Sequence, residues 1–161
     1  MRLALPSLAL VAGFAVAGCT SHTDTPPTTD AADSATVTCQ NDPRALAYTA
    51  NMEQPGASKT FTFVLVEGDP APPARGNNTW TLAVKDAAGA PLDGATVDVK
   101  PFMPDHGHGT SVAATVAAGA SPGTYTITPL YLFMPGLWQV TFTATKGSAT
   151  DSAVFSFCVE G

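Results

Sequence analysis

The chain has 161 residues, and its formal net charge at pH 7 is −6, with 13 acidic against 7 basic residues. Charged residues make up 12% of the chain, against a usual share of about 25%, while glycine and proline number 14 each. This composition excludes coiled coils and helical bundles. Because the chain has no basic patch to meet phosphates, we expect no nucleic-acid partner, and its length predicts a single folded domain.

Residues 1–18 have the layout of a secretory signal peptide: one positive charge at Arg2, then an apolar stretch too short to be a comfortable membrane span. The signal ends with Ala17 and Gly18 before Cys19, which resembles the bacterial lipobox. That resemblance implies cleavage before Cys19 and acylation of its side chain. The acyl chains would anchor the protein to a lipid membrane of the cell envelope, at the outer membrane or the periplasmic face. An ordinary signal peptide with an incidental cysteine is the alternative.

Residues 19–35 predict a flexible tether that starts at the lipidated Cys19. The segment is rich in Thr, Pro, Asp and Ser and has no large apolar side chain. It cannot bury enough apolar surface to offset its ordering entropy. Residues 36–161 are left for the folded domain.

Two cysteines remain inside the domain, Cys39 and Cys158, close to its two ends. An even number of cysteines in an oxidising compartment predicts a disulfide, which would fasten the first strand to the last. The alternative is a pair of free thiols that serve as metal ligands.

The domain is expected to be all-β, because apolar and polar residues alternate in short segments separated by turn residues. About 7–8 such strands predict an antiparallel β-sandwich of immunoglobulin type. We expect Trp80 and Trp138 in its core, and a Pro-rich connection at Asp69–Arg75 that crosses between the sheets. The predicted strands are Ala35–Gln40, Lys59–Glu67, Thr79–Asp86, Ala95–Pro101, Ser111–Val116, Gly123–Leu132, Gly136–Thr145 and Asp151–Val159.

Metal-binding chemistry is concentrated in residues 101–110, which read PFMPDHGHGT. The segment holds Met103, His106 and His108, and the tripeptide Phe-Met-Pro recurs around Met134. Both copies flank predicted strand ends, so the two methionines could meet at one end of a sandwich. Thioether sulfur and imidazole nitrogen together suit Cu(I), and Cu(II) is an alternative if only imidazoles and oxygens bind. Two histidines at i and i+2 lie on one face if the segment is a strand.

Other interpretations of this segment stay open. Asp105 could supply an oxygen ligand or orient an imidazole through a hydrogen bond, and zinc would use His106, His108 and Asp105 without the methionines. Alternatively, the methionines fill gaps in the core and the histidines form a polar loop. No nucleophile lies near a histidine in any recognisable pattern and no carboxylates are paired, so we expect no catalytic residues and no enzyme activity.

Five short motifs, taken in order, resemble YtkA-like and FixH-like domains over about residues 76–145. They are Asn78–Val84, Asp86–Ala95, Met103–Gly109, Gly123–Tyr125 and Met134–Trp138. The resemblance implies a small extracytoplasmic immunoglobulin-like β-sandwich, often part of a lipoprotein. Some related domains are tied to copper handling or to the assembly of copper-containing oxidases. This implies Met103, His106, His108 and Met134 as metal ligands in this chain.

Two functional hypotheses follow. The first is a membrane-anchored extracytoplasmic lipoprotein that binds copper through its Met/His loop. The second is a non-catalytic structural or protein-interaction module without metal, whose function lies in an unidentified partner protein. A carbohydrate-binding or adhesion module is suggested by the fold class alone.

Overall fold

A computed structural model describes residues 39–161. The predicted signal peptide, the tether and the lipidation site Cys19 lie outside the described residues. Within 39–161 no helix has both the length and the apolar character needed to cross a bilayer. This part of the chain forms a 3-10 helix over Cys39–Asn41 and nine strands. The strands are β1 (Met52–Pro55), β2 (Phe61–Asp69), β3 (Gly76–Asp86), β4 (Thr96–Met103), β5 (His108–Gly109), β6 (Thr115–Ala118), β7 (Thr124–Leu132), β8 (Gly136–Lys146) and β9 (Ala149–Val159).

The strands form two sheets in which every neighbouring pair is antiparallel. One sheet has five strands in the order β1-β2-β3-β7-β6, and the other has four in the order β5-β4-β8-β9. The predicted all-β antiparallel sandwich is therefore confirmed, whereas its immunoglobulin-like character stays a prediction. The first predicted strand, Ala35–Gln40, is wrong in its described part, because Cys39–Asn41 is a 3-10 helix.

The core follows from the period-two pattern that the sequence shows. Trp80 on β3 and Trp138 on β8 are both fully buried, as predicted. The Trp80 ring meets Phe157 edge to face with centroids 5.5 Å apart, and Phe142 and Phe155 pack in the same way at 5.8 Å. Such aromatic pairs add about 0.5–1.5 kcal/mol beyond the area they bury. Trp80 also packs against Phe142 with ring centroids 6.0 Å apart, so the core joins β3 of one sheet to β8 and β9 of the other.

The Pro-rich connection at Asp69–Arg75 does not cross between the sheets, so that prediction is wrong. It joins β2 to β3, which are neighbours in the five-stranded sheet, and the register continues up to the pair of Asp69 with Thr79. The buried Asn78 side chain organises this turn: its oxygen accepts a hydrogen bond from the Ala74 amide at 3.0 Å, and its nitrogen donates to the Ala74 carbonyl at 2.8 Å.

The predicted disulfide is present, between Cys39 and Cys158, whose Cα atoms are 5.2 Å apart. Cys158 lies on β9, opposite Leu137 of β8. The bridge therefore fastens the 3-10 helix, rather than a first strand, to the last strand of the four-stranded sheet.

Candidate functional site

The segment that carries both histidines is a tight β-hairpin at the end of β4. The Met103 carbonyl accepts hydrogen bonds from the amides of His106 at 3.2 Å and Gly107 at 2.9 Å, which closes the turn. Gly107 has φ of +70°, in the left-handed region where a side chain is strained. The chain then returns as β5, with His108 directly opposite Met103. Because His106 is in the turn and His108 in the strand, the predicted arrangement of both histidines on one strand does not occur.

The two imidazoles are nevertheless close together. Their ring centroids are 5.6 Å apart, with the planes inclined by 59°. The His106 side chain is exposed, whereas His108 is half-buried. The hairpin thus brings the two rings together by reversing the chain rather than by the alternation of a strand.

The position of His108 is fixed by two contacts. Its ring stacks on Phe133 at 5.6 Å with an interplanar angle of 26°. Its Nδ1 lies 3.1 Å from the Gly109 carbonyl. A carbonyl oxygen only accepts, so in a neutral imidazole this contact places the proton on Nδ1 and leaves the lone pair on Nε2. In metal sites, a histidine ligand is commonly held in one tautomer by a hydrogen bond of this kind.

Met103 is 1% exposed and belongs to the hydrophobic core cluster. Its methyl group lies so close to Gly136 that a Cβ added there would be 2.7 Å from Met103 Cε. Gly136 therefore gives the thioether the room that any larger residue would occupy. Both interpretations of Met103 remain compatible with this placement: it fills the core, and it also lines the cavity described next.

A surface cavity of about 540 Å³ opens beside the hairpin. Met103 and His106 contribute to its wall, and so do three residues that precede β1. The residues that line it are Cys39, Asn41, Asp42, Met103, Asp105, His106, Pro135, Gly136 and Leu137. The structure thus brings Met103, Asp105 and His106 to one cavity, with His108 next to His106.

Met134 sits at the start of the turn into β8, and the lining of that cavity begins one residue after it, at Pro135. Its side chain is half-buried and packs against the core cluster. Its carbonyl oxygen accepts a hydrogen bond from Trp138 Nε1 at 2.9 Å. The predicted approach of Met134 to Met103 stays a prediction.

A charged cluster beside the hairpin was not predicted from the sequence. The Arg44 guanidinium donates to both carboxylate oxygens of Asp105, each at 2.8 Å, and to Asp42, with its closest approach at 2.6 Å. The hydrogen bond from Arg44 lowers the pKa of Asp42 to about 2 and also lowers the pKa of Asp105. In turn, the two carboxylates, Asp42 first, raise the pKa of Arg44. All three groups are therefore charged at neutral pH.

The hydrogen bonds of Asp105 given by the structure go to Arg44. The predicted role of Asp105 in orienting an imidazole or in binding the metal stays a prediction. Among residues 39–161 no three His, Cys, Asp or Glu side chains come together in a way that could hold a metal ion. The alternative zinc set of His106, His108 and Asp105 is therefore not assembled in the described structure.

Fold and site together define a class of protein: a small antiparallel β-sandwich with a Met/His hairpin at one end. The sequence pattern of YtkA-like domains matches residues 56–143, more than half of the chain, and the chain belongs to the YtkA-like family. The match confirms the resemblance found in the sequence. It includes Met103, His106, His108 and Met134, and it leaves Arg44 and the two disulfide cysteines outside.

No curated protein is similar enough to this chain to count as a match. Among solved structures, the chain is similar to FetP of uropathogenic E. coli strain F11, which was expressed in the periplasm of E. coli. The two are 9% identical, with a TM-score of 0.44, and the alignment covers 71% of this chain and 96% of FetP.

Proposed function

We propose that this YtkA-like protein binds copper, with Cu(I) preferred, through the Met/His hairpin, as a lipid-anchored protein outside the cytoplasm. The observation that carries the proposal is the pair of imidazole rings 5.6 Å apart, next to a cavity with Met103 in its wall. Met103, His106, His108 and Met134 are the proposed ligands. Mixed thioether and imidazole ligation suits Cu(I), so the site would hold copper for handling and transfer.

The donor set fits copper in two respects. His108 presents Nε2 with a free lone pair, because Nδ1 is engaged with the Gly109 carbonyl. Met103, a residue that is 1% exposed, supplies a soft sulfur shielded from bulk water. Zinc in a protein site is normally bound by four ligands drawn from Cys, His, Asp and Glu, and the described residues do not bring three of them together. The buried thioether and the lack of a three-residue zinc set both favour copper, the metal of the two that accepts methionine.

The proposal includes no catalytic step and no enzyme activity. The ligands would bind and release the metal. Asp105, next to His106, would keep the hairpin in position. The disulfide between Cys39 and Cys158 supports a location outside the cytoplasm, because disulfides persist in oxidising compartments. Acylated Cys19 would anchor the protein to the membrane, and the tether of residues 19–35 would let the domain extend away from it.

Metal titration tests the binding site. Residues 34–161 are titrated with Cu(I) and with Cu(II) against a competing chelator. We expect one Cu(I) per domain, bound at least about tenfold more tightly, or about 1.4 kcal/mol, than by the double variant His106→Ala/Met134→Ala. Met52→Leu removes a thioether on β1 and serves as the control that keeps its affinity. Equal and weak binding by the wild type and the double variant contradicts copper binding at this site.

Cell fractionation tests the anchor. Cys19→Ala removes the acylated thiol, so we expect this variant in the soluble fraction while the wild type stays with membranes. Thr20→Ala, one residue further on, is the matched control and should remain in the membrane fraction. If Cys19→Ala also partitions with membranes, the protein is not anchored as a lipoprotein.

A metal-free structural or interaction module is the second candidate, and one observation favours it. His108 stacks on Phe133, and Phe133 in turn stacks on Tyr131 at 6.1 Å. These contacts give the imidazole a structural role in joining the hairpin to β7, which this candidate takes as its whole function. In the same titration, this candidate predicts that neither the wild type nor the double variant binds copper.

A further inference from the structure

We propose that Arg44 is a positioning residue for the Met/His hairpin, and that it sets the affinity of the copper site; this rests on the proposed function. Arg44 lies outside the part of the chain that matches the YtkA-like family. It belongs to residues 39–44, named here the N-terminal segment, which precedes the first strand. Cys39, Asn41 and Asp42 of this segment line the same cavity as Met103 and His106.

The N-terminal segment is itself firmly held. Its first residue, Cys39, is buried and bonded to Cys158. The Asp42 amide donates to the Cys39 carbonyl at 3.1 Å, and just beyond the segment the Leu46 amide donates to the Ser156 carbonyl on β9 at 2.7 Å. The segment is thus fixed against the four-stranded sheet, and Arg44 projects from a fixed base.

Arg44 is also oriented before it reaches the hairpin. Its Nε donates to Asp42 Oδ1 at 2.9 Å, and its own backbone amide donates to the same oxygen at 2.8 Å. The other edge of the guanidinium then meets the Asp105 carboxylate with two parallel hydrogen bonds of 2.8 Å. An arginine makes this two-point contact and a lysine does not, because only the guanidinium has the planar fork of donors.

The hairpin needs such a restraint. Asp105, His106 and Gly107 are exposed, so packing holds the turn only weakly. Within the turn, two hydrogen bonds to the Met103 carbonyl fix its shape but not its position over the cavity. Asp105 is the direct neighbour of His106, so the contact with Arg44 limits where the imidazole can lie relative to Met103. A metal that needs both ligands at once is bound more tightly when their separation is set in advance.

Hydrogen exchange and Cu(I) competition on the full-length protein in detergent test the proposal. In Arg44→Gln, we expect faster amide exchange at His106 and Gly107. We also expect a Cu(I) affinity lower by about tenfold, the low end of the 10–100-fold loss typical when a group bonded to a metal ligand is removed, because Arg44 contacts Asp105 and not a ligand. Both the exchange rates and the Cu(I) affinity of Arg44→Lys should lie between those of the wild type and Arg44→Gln, because lysine keeps the positive charge but lacks the planar fork of donors. Lys85→Gln removes the exposed ion pair with Glu53, at 2.6 Å, and is the control that changes neither quantity.

A double-mutant cycle tests whether Arg44 acts on the hairpin through its contact with Asp105. If Arg44 acts through Asp105, then Arg44→Gln combined with Asp105→Asn should lose little more than either single variant. Unchanged exchange at His106 and Gly107 in Arg44→Gln overturns the positioning role, whatever copper does. Faster exchange with unchanged Cu(I) affinity overturns the part that concerns affinity. A wild type that binds no copper contradicts the proposed function instead, and the exchange measurement still decides whether Arg44 holds the hairpin.

Discussion

Replacing Asp151 by asparagine is expected to lower the free energy of unfolding by about 3 kcal/mol, because two backbone amides whose hydrogen bonds are buried or partly buried would lose their acceptor. The Asp151 carboxylate, 3% exposed, accepts four backbone hydrogen bonds. Oδ1 accepts from Ser58 at 2.8 Å and Ser152 at 2.9 Å, and Oδ2 accepts from Thr60 at 2.8 Å and Phe61 at 3.1 Å. An asparagine would turn an NH₂ group toward one of these pairs of N–H donors.

The large effect comes from the place of Asp151 between the two sheets. It lies on β9 of the four-stranded sheet, whereas Ser58 and Thr60 belong to the connection between β1 and β2 of the five-stranded sheet. Gly56 at the start of that connection approaches the carboxylate so closely that a Cβ there would collide with it. The carboxylate thus ties β9 to this connection through hydrogen bonds to its backbone.

Thermal and urea unfolding measure the effect. We expect Asp151→Asn to lower the Tm by about 10 °C, given a few degrees for each kcal/mol in a domain of this size. Asp98→Asn, on the exposed face of β4, makes the same change of charge and should stay within about 0.5 kcal/mol of the wild type. A loss no larger than that of Asp98→Asn would show that the four hydrogen bonds contribute little.

The pH dependence of unfolding provides a second test of Asp151. Burial raises the pKa of this carboxyl, but the four backbone amides together outweigh it, so the pKa lies below the ordinary value of 3.8. A folded-state pKa below the unfolded one gives stability that is present above 3.8 and is lost as the pH falls through the folded value. We expect the stability difference between the wild type and Asp151→Asn to shrink in that acid range. A difference that stays constant down to pH 2 would contradict the lowered pKa.

Nothing in the sequence marks Asp151 as buried. It stands at the start of a strand in which polar and apolar residues alternate, where a carboxylate is normally solvated. Its role depends on the Gly56–Thr60 connection, which comes from about 90 positions earlier in the chain. Local patterns report which face a residue occupies, but they do not report which backbone amides tertiary structure brings to that face.

The same distinction explains which strands were predicted. β2, β3, β8 and β9 combine alternation with aromatic or branched side chains, and both are direct consequences of burying one face of a sheet. β1 has the sequence MEQP and shows neither property. It is a strand because its backbone pairs with the edge of β2. The Pro-rich Asp69–Arg75 connection was assigned to the wrong place because the order of strands in a sheet is not a local property.

For the candidate site, the sequence predicted two neighbouring histidines but not the turn that joins them, and their role as metal ligands stays a prediction. The close spacing of His106 and His108 indicated two nearby imidazoles, and the structure places them together, but by a hairpin turn. Arg44 lies 61 positions from Asp105, in a segment without periodicity, so no sequence signal joined the two. The disulfide was predicted because the domain has an even number of cysteines, two, one near each end. With two cysteines a single pairing exists, so no geometric information is needed to choose it.

Removing the disulfide is expected to cost about 4–5 kcal/mol of stability, more than the loss expected for Asp151→Asn. The bond joins residues 119 positions apart, and in the chain-entropy account a closed loop of this length restricts the unfolded chain by about that much. We expect the double variant Cys39→Ser/Cys158→Ser to unfold at a much lower urea concentration. Its m-value should rise as well, because the unfolded chain without the cross-link exposes more surface.

Reductant gives the matched control for the disulfide. Treating the wild type with a dithiol should move its urea midpoint to that of the double serine variant, while the same treatment leaves the variant unchanged. Restricting the unfolded chain is one effect of the bond, and holding the N-terminal segment against β9 is another. A loss below about 2 kcal/mol, at the lower end of the range for native disulfides of small domains, would mean that the unfolded chain stays compact without the bridge.

Hydrogen exchange in the reduced protein separates restriction of the unfolded chain from fixation of the N-terminal segment. Faster exchange confined to residues 39–46 would indicate that the segment is released while the sandwich remains folded.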